Sequence, residues 1–385
     1  MSCGADAARY VLMHSLLGGT LLAHNPWDSY TLQAISWLSG RLDMGQNYEW
    51  LELAIYNGKY YLSFPPLPSV VMLPLALLFG GNTPSNLVCA LYGIITALLA
   101  YKLLRRQGME KRRAVFFGIA YVWGSNMCWM STSGGVWFMA QGLNMLLLTA
   151  AVYFAISGRR TAAFAVTALA VGCRPFSTLM FLPLAVYFYA ADRERGKAGT
   201  ECIVGQLRLL IIPCIVAACL MLYNYARFGS VLEFGHNYLP EFTRSEEGQF
   251  SLSYVSQNLY NLLLRPITLN SRLSIEYPLF DGFMFYIANP MFLIWFGAVI
   301  RDIRRKSIDV VRWCLIAAVL AELLLLCAHK TLGGWQFGAR YTVDMLPMAL
   351  MYLALGKREP DWAAPIMTAG VMLNLYGAAA MNLLH

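Results

Sequence analysis

Only 13% of the 385 residues are charged, so few side chains are available for chemistry. Asp28 stands in "NPWDSY", directly after the first apolar stretch. A carboxylate there can serve as general base toward an acceptor hydroxyl. The bland alternative is a solvated helix end, for which Asn-Pro-Trp-Asp is ordinary. Lys59 is followed by Tyr60 and Tyr61 in "NGKYY", and the preceding Asn57-Gly58 reads as a type I′ hairpin turn. A lysine beside tyrosines also suits a lipid-headgroup anchor. Arg174, in "GCRPF", separates two short apolar runs. At membrane depth a guanidinium is costly, so it either reaches the interface or clamps a phosphate or carboxylate. His236 lies among aromatics in "EFGHNYLPEF", where a structural role is the simplest reading. Arg340 and Tyr341 stand in "GGWQFGARYTVDMLP", with Asp344 positioned for an i,i+4 pair to Arg340. Glu322 is the one carboxylate deep inside an apolar run and is expected to pair with a neighbouring helix.

These groups must be held by helices in a bilayer. With 58% hydrophobic residues and a mean hydropathy of +0.52, the chain is too apolar for a soluble protein of its length. Its long apolar runs, rather than short alternating segments, exclude a strand-built barrel. They cover about 8–24, 84–104, 112–131, 135–157, 161–173, 175–191, 207–224, 283–300, 312–329, 341–356 and 362–383. The first carries no A-x-A pattern after it and reads as a retained span. The nine cysteines show no metal-type spacing and read as small hydrophobes. The expected class is an all-α polytopic membrane protein, with residues 1–385 as one membrane domain.

The run 64–80, with four prolines, decides the topology. If it lies in the interface, twenty of the 29 Lys and Arg gather on one side and nine on the other. If it crosses, the later basic clusters all move outside, against the positive-inside rule. The first arrangement gives about eleven spans, a cytoplasmic N-terminus and two long extracytoplasmic loops, 25–83 and 225–282. The net charge of +8 thus belongs to short cytoplasmic links, not to a nucleic-acid surface. The first loop is expected to hold interfacial helices, including 64–80.

On the outer side this leaves one isolated carboxylate, several arginines, a lysine and many aromatics. Basic groups at the interface suit a phosphate on a lipid tail. Tyr and Trp suit sugar faces and headgroup depth alike. Phosphate-binding glycine motifs at strand–helix junctions are missing from the sequence, which withdraws support from ATP-driven transport and nucleotide chemistry. No cofactor is indicated, and a divalent metal stays open. A transporter or flippase for an amphiphile is the alternative, though Glu322 alone makes a poor polar path.

The succession of a first span, "NPWDSYTLQAISWLSGRL", "YNGKYYLSFPPLPSVVMLPLALLFG" and a span ending in basic residues resembles the GT-C superfamily of integral membrane glycosyltransferases. Bacterial relatives of protein O-mannosyltransferases and the lipid A aminoarabinose transferases are the nearest branches. "NYARFGSVLEFGHNY" and "GGWQFGARYTVDMLP" are similar to later features of such proteins. The resemblance implies a GT-C fold and an extracytoplasmic site taking a sugar from a polyprenyl-phosphate donor, in a bacterial cell membrane. It also implies a glycan, lipid or protein acceptor and inversion at the anomeric carbon. Asp28 matches the acidic residue of the first outer loop and would be catalytic, although Ser29 stands where relatives often carry a second carboxylate. Lys59, Arg174 and Arg340 would bind the donor phosphate. Tyr60, Tyr61, His236 and Tyr341 would contact substrate.

Overall fold

In hydrocarbon a backbone must satisfy its own polar groups, so long apolar runs fold as helices. A computed structural model of the chain describes residues 15–269, 275–356 and 362–383. Among these, five helices are long and apolar enough to cross a membrane. They are α3 (Ser85–Arg106), α5 (Val136–Ile156), the continuous pair α8 (Gly199–Leu209) and α9 (Ile211–Phe228), α12 (Val310–Ala328) and α14 (Ala363–Leu383). Five other expected spans form shorter helices: α4 (Lys111–Trp123), α6 (Arg160–Val171), α7 (Phe181–Glu194), α11 (Met291–Arg304) and α13 (Leu346–Gly356). At ~1.5 Å per residue each covers roughly 17–21 Å, short of a ~30 Å core. Of the remaining expected span, 8–24, residues 8–14 lie outside the described residues and 15–24 are mostly turns after Leu16; Cys3, Arg9, Arg272, Lys357 and Arg358 also lie outside.

The shortness has a pattern. α4 breaks at Gly124–Asn126 before a single turn, Met127–Met130. α7 is preceded by a 3₁₀ turn at Pro175–Met180, α11 by a short turn at Phe285–Ala288, and α13 by a 3₁₀ turn at Arg340–Met345. All four irregular turns lie at the end of the bundle where the two long loops gather. Helices at the opposite end stay regular and carry ion pairs such as Arg160 with Asp192 and Arg312 with Asp302.

The first loop supplies α1 (Ser29–Leu38), a hairpin of β1 (Leu53–Tyr56) and β2 (Lys59–Leu62), and α2 (Leu67–Phe79). Asn57 and Gly58 have φ of 49° and 71°, as the expected type I′ turn requires. α2 buries Met72 and Ala76 and turns Leu77 and Leu78 outward, 70% and 74% exposed. Ser69 Oγ donates to Gln33 Oε1 at 2.7 Å, and Gln33 Nε2 donates to the Tyr223 hydroxyl at 3.0 Å, tying α2, α1 and α9 together. The second loop adds a short helix, α10 (Val255–Leu263), whose Asn258 donates to the carbonyls of Cys327 and His329.

At the loop end α14 has no room for a side chain at Gly377. A Cβ there would fall 2.2–2.6 Å from ring carbons of the fully buried Phe337. Gly377→Ala is therefore expected to lower the thermal unfolding midpoint in detergent, consistent with ~1–3 kcal/mol of overpacking. Gly205→Ala, with nothing within 4 Å, should leave it unchanged or raise it.

Candidate functional site

A cavity of about 800 Å³ opens at the loop end of the bundle. The first loop contributes Trp27, Glu52 and Phe64 to its wall, and the second contributes His236, Glu241 and Phe242. Arg174, His329, Arg340 and Tyr341 enter from the ends of helices. Four of the residues singled out in the sequence thus meet here: Arg174, His236, Arg340 and Tyr341.

Arg174 precedes Pro175 and takes the extended backbone that a following proline favours, with φ −142° and ψ 115°. Its Nε donates to Asp344 Oδ2 at 2.9 Å. Asn144 Nδ2 donates to the other Asp344 oxygen at 2.9 Å, and Ser177 Oγ donates to Asn144 Oδ1 at 2.6 Å. Arg340 was expected to pair with Asp344, four residues on. It does not, because residues 340–345 form a 3₁₀ turn, whose three residues per turn take positions i and i+4 off a common face. Instead Arg340 Nε donates to the Gly333 carbonyl at 3.0 Å and Nη1 to Gln141 Oε1 at 2.9 Å. Its partners are neutral oxygens, so its positive charge is left for the cavity. The two guanidinium carbons lie 4.6 Å (Arg174) and 4.8 Å (Arg340) from the centroid of the Tyr341 ring.

Glu322 on α12 is buried beside this group, close enough to Asp344 and Arg174 for their charges to interact. The expected pairing with a neighbouring helix is missing: neither carboxyl oxygen has a hydrogen-bond partner among the described residues.

The backbone that carries Arg340 is fixed by buried amides. Asn126 Oδ1 accepts from the Ala339 amide at 2.9 Å, and Asn126 Nδ2 donates to Asn374 Oδ1 at 3.2 Å. Asn289 Nδ2 donates to Asn126 Oδ1 and to Thr342 Oγ1, at 3.2 and 3.0 Å. A polar side chain inside an apolar run is the sequence signal that marks these residues.

The carboxylates divide differently from expectation. Asp28 is fully buried and caps α1, accepting from the Thr31 amide at 3.0 Å and from the Thr31 hydroxyl. Burial raises its pKa. Its neighbour Trp27 lines the cavity, but the Asp28 carboxylate does not. Glu52 and Glu241, which no sequence pattern singled out, do line it. Glu52 Oε2 accepts from the Trp137 indole at 3.0 Å. Desolvation by the surrounding protein raises the pKa of both carboxyls, and for Glu241 the charge of Glu52 adds to it.

Lys59, Tyr60 and Tyr61 are not among the lining residues. Lys59 Nζ lies 3.8 Å from Asp43 and its side chain is 61% exposed. Tyr61 packs on Phe228, centroids 5.2 Å apart. Alternation along β2 turns Tyr60 and Tyr61 to opposite faces, so one substrate cannot contact both from the same side. Among the described residues no group of three or more His, Cys, Asp or Glu is arranged to hold a metal ion.

No family model and no curated protein sequence matches the chain. Solved structures do. ArnT from Cupriavidus metallidurans in the apo state aligns with a TM-score of 0.53 at 14% identity, over 94% of this chain and 61% of that one. ArnT from the same organism bound to undecaprenyl phosphate aligns with a TM-score of 0.53 at 16% identity, over 93% and 61%. The Archaeoglobus fulgidus oligosaccharyltransferase in the apo form gives 0.53 at 12% identity, over 98% and 55%. The chain thus spans about three fifths of ArnT's length and rather less of the oligosaccharyltransferase's. It is a multi-pass helical membrane protein with the GT-C fold, and the likeness runs along nearly the whole chain.

His236 and His329 bracket Phe242, at 5.9 and 5.8 Å between ring centroids. His236 Nδ1 donates to the Ser63 carbonyl at 3.2 Å. Burial pushes His236 down to about 3 and His329 down to about 4, from 6.5. Between these values and 6.5 the unfolded chain binds protons that the folded protein does not, so stability present above pH 6.5 is lost as pH falls. The thermal midpoint should drop between pH 7 and 4.5. The drop should be shallower in a His236→Asn, His329→Asn double variant; an equal slope would count against this assignment.

Proposed function

We propose that the protein is a glycosyltransferase that moves a sugar from a polyprenyl-phosphate donor to an acceptor hydroxyl, with inversion. The observation that carries this reading is the pair of arginines packed against the Tyr341 ring, one of them with no carboxylate hydrogen-bond partner among the described residues, in a cavity at the edge of an apolar bundle. A lipid phosphate is an anion anchored at that depth, and guanidinium groups bind phosphate oxygens in paired hydrogen bonds. The fold agrees, and one structure that shares it was solved with undecaprenyl phosphate.

In this mechanism Arg340 and Arg174 hold the donor phosphate beside Tyr341. Glu52 takes the proton from the acceptor hydroxyl. The oxygen attacks the anomeric carbon from the face opposite the phosphate. The carbon–oxygen bond to phosphate breaks, and its electron pair leaves on the phosphate, whose added charge the guanidiniums stabilise. No proton is needed by this leaving group. Glu52 is chosen over Asp28 because it opens into the cavity, whereas Asp28 is spent on the α1 cap. Asp28 is then a positioning residue that fixes Trp27. His236 contributes by holding Phe242 and the edge of the second loop.

The orientation follows from charge. The loop end is extracytoplasmic, because twenty of the 29 Lys and Arg gather at the opposite side. In a cysteine-free background, a membrane-impermeant maleimide on intact cells should label Glu246→Cys and leave Ser307→Cys unlabelled. The reverse pattern would place the cavity in the cytoplasm.

The roles of the two carboxylates separate cleanly. Glu52→Gln should lower the turnover of transfer by ~10²-fold or more, the usual contribution of a general base, with undecaprenyl phosphate binding unchanged. Asp28→Asn should stay within a few-fold, since Asn caps a helix about as well as Asp. If Asp28→Asn abolishes transfer in a stably folded protein while Glu52→Gln does not, Asp28 is the base.

A further inference from the structure

We infer that the acceptor is a neutral saccharide, seated against the indoles of Trp27 and Trp137 with its reacting hydroxyl at Glu52. This inference rests on the transferase reading above and names the substrate for its second half.

The cavity wall is a continuous ribbon of contacts. Trp27 and Trp137 have ring centroids 5.9 Å apart at 39°. Trp137 is followed by Phe138 at 6.3 Å. Arg340 then lies 5.6 Å over Phe138, and Tyr341 and Arg174 complete the line. One end of this ribbon is cationic and the other is aromatic, with a carboxylate beside it. The aromatic end is built before any ligand arrives. The Val136 amide donates to the Trp27 carbonyl at 3.0 Å, joining the first loop to the start of α5 next to Trp137. The Trp50 indole donates to the Pro26 carbonyl at 3.2 Å. The Trp137 indole holds Glu52 at 3.0 Å, so the carboxylate sits at the edge of the aromatic surface.

A sugar ring offers an apolar face of C–H groups and a rim of hydroxyls that both donate and accept. An indole face with a carboxylate at its edge matches both parts at once. An acyl chain would leave Glu52 facing hydrocarbon, which is costly. An anionic acceptor would meet the carboxyl groups of Glu52 and Glu241, which Lys330, bonded to the Glu241 carbonyl, only partly offsets. A neutral polyhydroxyl compound meets neither penalty.

The test uses the full chain in lipid nanodiscs with two separate probes. Undecaprenyl phosphate reports the cationic end. Maltotriose, mannotriose and chitotriose report the aromatic end by saturation-transfer NMR, and in transfer assays they are set against a serine-containing peptide and diacylglycerol. At least one trisaccharide should bind and accept sugar. Trp27→Ala and the conservative Trp137→Phe should each raise its KM about tenfold or more, with undecaprenyl phosphate binding unchanged. Arg340→Ala should do the opposite, weakening undecaprenyl phosphate and sparing the trisaccharide. Transfer to the peptide or to diacylglycerol, with no trisaccharide bound, would overturn the acceptor assignment and leave the transferase reading standing. Failure to bind undecaprenyl phosphate would overturn the transferase reading and the acceptor assignment with it.

Discussion

Two guanidinium groups approach one tyrosine ring, at 4.6 and 4.8 Å from its centroid, inside a protein most of whose side chains are apolar. Like charges in such a place repel and are poorly solvated, so the structure must hold them there. Asp344 offsets Arg174, while carbonyl and amide oxygens hold Arg340 without cancelling it. The result is one compensated and one uncompensated cation side by side. α5 serves both, since Gln141 reaches Arg340 and Asn144 reaches Asp344, three residues apart on one helical face.

The irregular turns follow from that demand. A regular α-helix through 340–345 would bring Asp344 onto the same face as Arg340, one turn on; the 3₁₀ turn instead sets Asp344 over Tyr341 and away from Arg340. Backbone groups at its start then need partners: Asn126 Oδ1 accepts from the Ala339 amide and the Thr342 hydroxyl donates to the Ala339 carbonyl, while Asn289 Nδ2 donates to that hydroxyl. Asn126 sits so close to Gly338 that a Cβ there would fall 2.2 Å from it, and Gly338 has φ +85°. The break after α4 exists to present Asn126, so a polar residue in one expected span shapes the turn that begins another. Spanning length is given up at the cavity end of four helices, and the opposite end shows no such concession.

Much of this architecture was legible in the sequence. Apolar run length gave the helices, Asn57-Gly58 gave the hairpin, and the cost of a membrane-depth arginine drew attention to Arg174. Where the structure departs from the sequence reading, the reasons are identifiable at three residues. The Arg340–Asp344 pair assumed α periodicity where the chain turns as 3₁₀, and a short turn carries no periodic signal of its own. Asp28 took a catalytic role from the family resemblance, whereas its hydroxyl partner, Thr31, lies three residues on and marks it as a cap. Glu52 was harder: its meaning comes from Trp137, 85 residues away, and no local pattern records that contact.

The order of charges along the cavity also bears on why an apolar bundle is a useful frame for group transfer. Going from Glu52 past Phe138 to Arg340, the wall passes from negative to positive within one connected set of rings. In the proposed reaction a proton moves toward the negative end and an electron pair toward the positive end. A fixed field of that sense favours the charge distribution of the transition state over that of the ground state, and it does so without reorganising solvent. The same field would be weak in water. It is the burial of the arginines, which leaves little water to screen them, that gives it strength. The expense of burying the two arginines, met by Asp344, the asparagine network and the broken helices, is therefore the condition for the site to act.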